Sequence, residues 1–437
     1  MTPGKKRVLL FATKLGYQTR SFQAAAEKLG VTLAYVTDRC GRLDDPWNDQ
    51  AVAVHFELPE GAAGAVLEAE RGLRVDGILA VGDRPTVAAA YAARGLGLTH
   101  HHPASVEACR NKVRMREALR DGGLPVPWFR AVPLRPLPEP ALLGITYPCV
   151  SKPISLSASQ GVTRANNREE FLAGATRLKQ LLDSPEILAA REGNRDHMIV
   201  EGYLEGKEVA VEALLTEGTL RVLAIFDKPD PLEGPYFEET IYITPSRLRH
   251  EEQHAIEESL KACIRAIGLT HGPVHAEFRL NEQGVWPIEL AARPIGGLCA
   301  RALRFEVGDA EPIGLEELLL RHTLELPDSD GPRENTASGV MMIPVPHSGI
   351  YEAVEAEEAA RATQYITSLE ITARPHDYIA AWPEGSCYLG FLFARASEPA
   401  QVERALRDAH AKLRFKLTPR LPVEHPVTRT VSREGSA

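Results

Sequence analysis

The sequence predicts a multidomain protein that combines α/β and α+β units. Its 437 residues exceed what a single compact core usually holds, so two to four packed units are expected. In residues 1–103 strand patterns alternate with helix patterns, which is typical of a parallel sheet. After about residue 330 the composition shifts to strand patterns followed by an amphipathic helix at 399–415. We therefore predict units at 1–103, 104–330 and 331–437.

The N-terminal unit is predicted from the order of its elements. Strands are expected at 7–14, 33–38 and 76–83, and helices at 21–30 and 85–97. This alternation indicates a Rossmann-like parallel sheet. Because no GxGxxG motif follows the first strand, dinucleotide binding is not indicated.

Composition and charge exclude two classes of partner. Hydrophobic residues make up 44% of the chain, and the net charge of −9 comes without a basic stripe of interleaved aromatic residues, so nucleic acid is not expected to bind. No apolar stretch reaches the roughly 18 residues of a membrane span, and the N-terminus lacks the apolar core of a signal peptide. The six cysteines are scattered without metal-ligand spacing. These features predict a cytoplasmic protein that does not bind membranes.

The middle unit is predicted to contain two subdomains, at about 125–195 and 196–330. Its elements should be a helix at 104–121, a strand at 147–153, polar helical residues at 160–195, β structure at 197–246 and a helix at 250–269. The three histidines before Pro103 can hold a metal ion, but a polar loop is the favoured interpretation.

Two loops of the middle unit have nucleotide-binding character. Lys152 ends a strand and precedes a hydroxyl-rich loop up to Gly161, whose N–H groups and hydroxyls can bind phosphate beside the ammonium. The segment 201–204 links two strand patterns and can offer backbone donors and acceptors to an adenine edge. An ordinary strand end and an ordinary hairpin are the respective alternatives.

Two glutamates flank a predicted hairpin turn. The runs 275–280 and 285–290 have strand composition and are separated by a short loop that contains Gly. With a loop from Asn281 to Val285, Leu280 pairs with Trp286, and Glu277 falls opposite Glu289. Carboxylates so placed have Cβ atoms about 5 Å apart and repel by about 3 kcal/mol at a dielectric near 20.

Several groups can offset this repulsion: solvent, Arg279 or Arg293, or a divalent cation. Magnesium suits the last option, because it takes carboxylate oxygens and keeps positions open for phosphate. The alternative is a pair of exposed glutamates at a sheet edge. His275 shares a face with Glu277 by strand alternation and is expected either to line the site or to be a solvated or supporting histidine.

The order of these features resembles the ATP-grasp superfamily. The features are Lys112 in a helix, Lys152 with its loop, the 201–204 segment, Glu277, Glu289 and Arg293. The N-terminal unit is similar to the domain that precedes the ATP-grasp fold in those enzymes. The segment PYFEETIYITPS (235–246) and the C-terminal unit look most like the L-amino acid ligase group, which joins amino acids into dipeptides. The resemblance covers nearly the whole chain.

The resemblance implies an ATP site. It implies that Lys112 and Lys152 contact the phosphates and that the loop around Ala158 and Ser159 closes over them. The implied adenine hinge consists of Glu201, Gly202, Tyr203 and Leu204. Glu208 is implied to reach the ribose hydroxyls.

The resemblance also implies a metal and substrate site. Glu277 and Glu289 would hold magnesium, with two ions expected and manganese as an alternative. Arg293 would steady the substrate carboxylate and the acyl phosphate, since a planar fork suits both, and in an extended run it shares a face with Glu289. Glu239 would lie near the substrate amine, and Lys228 would contact phosphate or substrate.

Three positions depart from the family pattern. Ala291 stands where the family often has an asparagine that also binds the metal, which removes one oxygen donor. The phosphate loop has Leu156 and Ala158 in place of glycines, so a less flexible lid or a different path is expected. Tyr242 stands where the ligases often carry histidine.

The implied function is an ATP-dependent carboxylate–amine ligase that forms an amide through an acyl phosphate and releases ADP and phosphate. Its substrates would be amino acids, and a homodimer is compatible with the sequence. Two alternatives stay open. One is an ATP-grasp carboxylase-type enzyme that activates bicarbonate, and the other is a non-catalytic ATP-binding module.

Overall fold

The computed structural model describes residues 5–13, 17–38, 51–137, 142–385 and 387–419. Within them the elements form four sheets with flanking helices. None of the helices in these ranges is both long enough and apolar enough to cross a bilayer.

The N-terminal unit is a four-stranded parallel sheet, as the alternating pattern predicts. The sheet order is β3-β2-β1-β4, with β1 at Arg7–Ala12, β2 at Thr32–Thr37, β3 at Val52–Ala53 and β4 at Gly77–Val81. Its helices are α1 Tyr17–Leu29, α2 Pro59–Ala69 and α3 Thr86–Leu96. Phe22 of α1 packs with Leu318 in a core shared with the central sheet, which fixes the unit against the rest of the chain.

The predicted helix at 104–121 is two helices, α4 Pro103–Arg110 and α5 Lys112–Asp121. Asn111 between them is extended, and its side chain accepts hydrogen bonds from the backbone N–H groups of Val113 and Arg114. This is an N-cap, which asparagine favours. The break places Lys112 at the start of a helix rather than in its middle.

The following unit is a four-stranded antiparallel sheet, here called the small sheet. Its order is β5-β8-β6-β7, with β5 Phe129–Pro133, β6 Cys149–Pro153, β7 Thr163–Ala165 and β8 His197–Gly202. Helices α6 Arg168–Leu182 and α7 Pro185–Ala190 cover it, and Phe171 and Leu178 of α6 are buried against it. The region 160–195 is thus not wholly helical, since it includes β7.

The central sheet has eight antiparallel strands in the order β13-β12-β9-β10-β11-β14-β18-β16. The first five in chain order are β9 Lys207–Thr216, β10 Thr219–Asp227, β11 Ile241–Thr244, β12 Gly272–Asn281 and β13 Gly284–Ala291. The other three are β14 Ala337–Ile343, β16 Ile366–Ile371 and β18 Gly390–Ala396. The C-terminal strands therefore continue the same sheet across the boundary near residue 330.

The remaining elements flank this sheet. A separate three-stranded sheet has the order β17-β15-β19 and consists of β15 Gly349–Glu355, β17 Tyr378–Ile379 and β19 Arg414–Thr418. The helices are α8 His250–Ile267, α9 Leu315–Thr323, α10 Glu357–Arg361 and α11 Pro399–His410, with a 3-10 helix at Cys299–Ala302. The helix predicted at 399–415 is wrong at its end, because residues 414–418 pair as β19.

The histidine run is not a polar loop throughout, because His101 is buried. Its Nδ1 accepts the backbone N–H of Thr270 at 3.1 Å, and its exposed fraction is 2%. Nearby, the rings of His271 and His322 stack with centroids 4.6 Å apart. Burial lowers the pKa of His101 to about 3 and that of His322 to about 4. Both side chains are therefore neutral in the folded protein at ordinary pH.

This burial makes the fold sensitive to acid. The pKa values of these histidines are lower in the folded protein than in the unfolded chain. Their contribution to the free energy of unfolding is therefore fully present above about pH 6.5. It decreases as the pH falls, by about 1.4 kcal/mol per pH unit for each histidine. We expect the free energy of unfolding to drop between pH 7 and pH 5 in urea titrations. The change His101→Asn, which keeps an acceptor near Nδ1, should reduce that drop. The exposed cap residue His102, changed to Asn, is the control. An equal pH dependence in all three proteins would contradict this account.

Candidate active site

The hairpin of β12 and β13 brings the two glutamates side by side. Glu277 pairs directly with Glu289, which confirms the predicted opposition. Adjacent to Glu277 on its other side is Ala210 of β9. The two carboxylates therefore lie on one face of the sheet, in one row across three strands.

The turn itself differs from the prediction. Leu280 pairs with Val285 rather than with Trp286, so the loop is only two residues long. A bulge between Glu277 and Phe278 inserts one extra residue on the other strand and cancels this slip. The one-residue shift at the turn and the one-residue bulge act in opposite directions. Glu277 and Glu289 are therefore opposite each other as predicted.

A cleft that encloses about 630 Å³ of space, open solvent included, lies between the small sheet and this hairpin. It brings together most of the residues that the family resemblance singled out. Those that line it are Lys112, Lys152, Ser159, Glu201, Gly202, Tyr203, Leu204, Glu208, Glu277 and Glu289. Ala158, Lys228, Glu239 and Arg293 are not part of its lining.

The cationic side of the cleft is formed by two lysines. Lys112 donates from Nζ to the carbonyl of Leu156 at 2.6 Å, and its Nζ lies 3.9 Å from Glu289 Oε1. Its backbone N–H donates to Ile154. Lys112 therefore connects the start of α5, the phosphate loop and the hairpin, which places its ammonium in the cleft.

Lys152 is tied to Glu201, whose carboxylate is not free for adenine. Glu201 is 4% exposed and accepts from Arg116 Nε at 2.9 Å, in addition to an ion pair with Lys152. Burial alone would raise the pKa of Glu201, but Arg116 and Lys152 lower it to about 2. The side chain of Glu201 thus positions Lys152, and only its backbone remains for a hinge role. Sequence reasoning missed Arg116, because nothing in a helical arginine marks its partner.

The phosphate loop adopts a left-handed turn without glycine. Ala158 and Ser159 have φ values of 54° and 51°. Each such residue costs roughly 1–2 kcal/mol relative to glycine, because its Cβ is close to backbone atoms. Glycine would adopt this turn without that cost, and Ser159 of the turn lines the cleft.

The hinge segment is held by Arg279, which the sequence suggested only as a counter-charge for the glutamate pair. Arg279 donates to the carbonyls of Leu204 and Leu232 and, from Nε, to Glu208 at 2.9 Å. Its guanidinium also lies 5.3 Å from the ring centroid of Tyr203, within cation–π range. Glu208 is therefore engaged with Arg279 as well as lining the cleft.

Beside the cleft, three carboxylates surround one ammonium. Lys228 Nζ donates to Glu208 at 2.8 Å, to Glu239 at 2.6 Å and to Glu277 at 2.7 Å, and its side chain is 3% exposed. We call Glu208, Glu239 and Glu277 the acidic triad. Burial alone would lower the pKa of Lys228, but the triad raises it well above the usual value. Lys228 is thus a permanent cation that offsets part of the negative charge of the triad.

Glu239 is the triad member with the least compensation. Tyr242 donates to its second oxygen at 2.9 Å. Burial raises the pKa of Glu239, and the nearby carboxylates of Glu277 and Glu208 raise it further, against the effect of Lys228. Burial likewise acts on Glu277, but Lys228 and His275 hold its pKa well below the usual value. Glu277 is therefore ionised, and Glu239 is the carboxyl group poised to exchange a proton.

The structure directs the guanidinium of Arg293 to Asp83, and Arg293 does not line the cleft, so its predicted orientation toward phosphate stays a prediction. Its Nε and Nη2 donate to both oxygens of Asp83 at 3.0 and 2.8 Å, just after β4 of the N-terminal unit. Burial alone would raise the pKa of Asp83, but Arg293 lowers it to about 2. Strand alternation failed here because β13 ends at Ala291, so the extended geometry does not reach Arg293.

We expect Arg293→Lys to lower kcat/KM for amide formation roughly ten- to a hundredfold. Lysine cannot form the bidentate bond to Asp83 that orients the guanidinium. ADP affinity, measured by calorimetry, should stay within about twofold, since phosphate is held by other cations. Arg301→Lys, an exposed arginine paired with Glu370, is the control. Near-normal turnover would show that Arg293 only links the units.

His275 belongs to strand β12 of the hairpin and is buried rather than solvated. Its Nδ1 lies 2.9 Å from Glu212 Oε2, and its Nε2 lies 3.8 Å from Glu277 Oε1. The other oxygen of Glu212 accepts the backbone N–H of Ile295 at 2.8 Å. Burial alone would lower the pKa of His275, but the hydrogen bond with Glu212 raises it to about 9. His275 thus supports the glutamate pair.

The residues of the hairpin fit a divalent cation. Glu277 and Glu289 present carboxylate oxygens to a cleft that also contains two lysines, as magnesium bound to a nucleotide requires. The acidic triad also has oxygens within 4.8 Å of one another, but the ammonium of Lys228 lies among them. The pair Glu277 and Glu289 is therefore the better metal site.

Comparison with known proteins agrees with this geometry. A family model for the ATP-grasp domain matches residues 145–302, which include the phosphate loop and the hairpin. A second model, for L-amino acid ligase C-terminal domain 2, matches residues 341–418. The chain therefore has the ATP-grasp fold. Within that class, residues 341–418 are similar to the C-terminal domain of the L-amino acid ligases.

Individual relatives point the same way. The crystal structure of an L-amino acid ligase from Bacillus licheniformis superposes with a TM-score of 0.79 and 26% identity, covering 95% of this chain and 100% of that one. Alanine–anticapsin ligase from Bacillus subtilis is 29% identical and covers 55% of this chain, and carnosine synthase 1 from Homo sapiens is 27% identical and covers 57%. The matches span only 53% and 32% of those two relatives.

Proposed function

We propose that this protein is an ATP-dependent ligase that joins the carboxylate of one amino acid to the amine of another. The observation that carries the proposal is the cleft in which Lys112 and Lys152 face the opposed pair Glu277 and Glu289. Two ammonium groups suit polyphosphate, and two opposed carboxylates suit the cations that accompany it. The similarity to amino acid ligases supports the substrate class.

The nucleotide would lie with its adenine against the hinge and its phosphates beneath the phosphate loop. Backbone groups of residues 202–204 meet the base edge, and Arg279 keeps that segment in place. Lys112 and Lys152 contact the phosphates. Magnesium, when bound by Glu277 and Glu289, neutralises charge on the transferring phosphoryl group.

The reaction then has two steps, and in each of them one bond forms and one bond breaks. A carboxylate oxygen attacks the γ-phosphorus of ATP, which forms an acyl phosphate and releases ADP. The amine nitrogen of the second amino acid attacks the acyl carbon, the C–O bond breaks, phosphate leaves, and the nitrogen gives up one proton to solvent. In this scheme Arg293, aimed by Asp83, steadies the carboxylate end, and Glu239 accepts a hydrogen bond from the amine.

The proposal is tested by phosphate release from ATP and magnesium with single amino acids, with amino acid pairs and with bicarbonate. We expect release only with pairs, together with a product of the mass of a dipeptide. Release that depends on bicarbonate would favour carboxylase-type chemistry. Binding of ATP without any release over the panel would favour a non-catalytic module. Glu289→Ala protein serves as the blank for contaminating ATPases.

A further inference from the structure

One buried arginine contacts both walls of the cleft. Arg116 lies on α5, and its side chain is among the largest that are fully buried, with 1% of the residue exposed. Its guanidinium donates to Glu201 of the small sheet and to the backbone carbonyls of Pro287 and Ile288 on β13. Glu201 and Ile288 themselves line the cleft. Arg116 therefore joins the small sheet to the hairpin.

On the hairpin side, Arg116 binds the bulge of β13. The bulge directly precedes the pairing of Glu289 with Glu277, and Ile288 is its extra residue, without a partner in the register. In a regular antiparallel strand the carbonyls of successive residues point to opposite sides. The carbonyls of Pro287 and Ile288 instead both accept from Arg116, at 2.9 and 3.0 Å, which the bulge permits. Because the bulge sets Glu289 opposite Glu277, Arg116 stabilises the register of that pair.

On the side of the small sheet, Arg116 binds the carboxylate that positions Lys152. Its Nε donates to Glu201 Oε2 at 2.9 Å and its Nη2 to Oε1 at 3.3 Å, and Oε1 also forms the ion pair with Lys152. Glu201 is 4% exposed, so its charge must be compensated by cations within the fold. Since Arg116 supplies one of them, Lys152, which lines the cleft, does not neutralise Glu201 by itself.

We infer that Arg116 is a positioning residue that aligns the two halves of the nucleotide and metal site, Lys152 through Glu201 and Glu289 through the bulge. The inference rests on the proposed function, because it assumes that a metal–nucleotide complex occupies the cleft. The task requires a guanidinium, whose planar fork offers donors in several fixed directions, whereas an ammonium is a point charge. The change Arg116→Lys keeps a positive charge beside Glu201 but cannot hold both sides.

The direct test is Arg116→Lys, measured by binding rather than by turnover. Without metal, ADP should bind about tenfold more weakly, because Lys152 is no longer held toward the phosphates. With saturating ADP, Mn²⁺ should bind at least about tenfold more weakly, because the support of Glu289 is lost. The control is Arg114→Lys, an exposed arginine of the same helix paired with Glu107, which should change neither affinity.

The outcomes separate the inference from the proposed function. If folded Arg116→Lys protein binds both ADP and Mn²⁺ within about twofold of wild type, Arg116 only stabilises the fold, and the inference is overturned while the proposed function stands. If the wild-type protein binds neither ADP nor Mn²⁺ in the presence of ADP, both are overturned.

Chemical rescue of Arg116→Ala is a second measurement that a general effect on folding would not produce. This variant leaves a space lined by the carboxylate of Glu201 and two carbonyls, which suits a free guanidinium ion. Guanidinium at millimolar concentration should restore both affinities to within about threefold of wild type, and methylammonium at the same concentration should not. Rescue by neither cation, or equal rescue by both, would contradict the inference. If Arg116→Ala does not fold, the affinities of Arg116→Lys decide.

Discussion

Replacing Glu289 with alanine is expected to lower kcat/KM for ligation at least about a hundredfold, while the protein stays folded. The expected size follows from the loss of one metal ligand, because metal neutralisation of a transferring phosphoryl group is worth several kcal/mol and each 1.4 kcal/mol is about tenfold in rate. Glu289 is the cleaner of the two glutamates to remove. Its nearest cation is Lys112 at 3.9 Å, whereas Glu277 also neutralises Lys228.

The matched control for Glu289→Ala is Glu282→Ala, an exposed glutamate in the turn of the same hairpin. Both variants should unfold in urea at the wild-type midpoint. Only Glu289→Ala should lose turnover and bind Mn²⁺ more weakly in the presence of ADP. Near-normal ligation by folded Glu289→Ala protein would remove the metal role from the hairpin.

We expect Lys228→Met to lower the free energy of unfolding by about 3–5 kcal/mol. Removing the cation of a buried ionic group leaves the charges of its carboxylates uncompensated. Three carboxylates receive hydrogen bonds from this single ammonium, whose side chain is 3% exposed. Without it, at least one of them must be protonated in the folded protein. Methionine keeps most of the volume, so packing loss is small.

The stability loss is measured by urea unfolding followed by tryptophan fluorescence. Lys261→Met on α8 is the control, because Lys261 pairs with Glu257 and Glu258 at the surface, where solvent screens ion pairs and they contribute little to stability. A loss below about 1 kcal/mol for Lys228→Met would show that solvent, rather than Lys228, neutralises the acidic triad. At lower pH the difference in the free energy of unfolding between wild type and Lys228→Met should decrease, because the carboxylates are then protonated in both proteins.

Patterns that depend on local chemistry were read correctly from the sequence. The alternation of strands and helices predicted the parallel N-terminal sheet, and the hairpin composition predicted the pairing of Glu277 with Glu289. Both signals act over a few residues, where strand alternation and turn composition determine the register. The hairpin also shows the limit, because a shorter turn and a bulge offset each other and the sequence signals neither.

Features that depend on distant partners were not predictable in this way. The pairs of Arg293 with Asp83 and of Arg116 with Glu201 join residues 210 and 85 positions apart. One sequence does not show which arginine meets which carboxylate. The helix break at Asn111 was easier to predict, because asparagine favours the N-cap position. The residues on both sides of Asn111 have helical composition, so a single helix was predicted instead.

In the proposed reaction a substrate carboxylate attacks ATP, and an amine then displaces phosphate. The most direct measurement uses amino acids with ¹⁸O in the carboxylate, ATP and magnesium, and follows the mass of the released phosphate. Attack by the carboxylate and later cleavage of the C–O bond would transfer one ¹⁸O to each phosphate, and only when both amino acids of an active pair are present. Phosphate that contains no ¹⁸O although a dipeptide is formed, or phosphate released equally without the amine substrate, would contradict the claim.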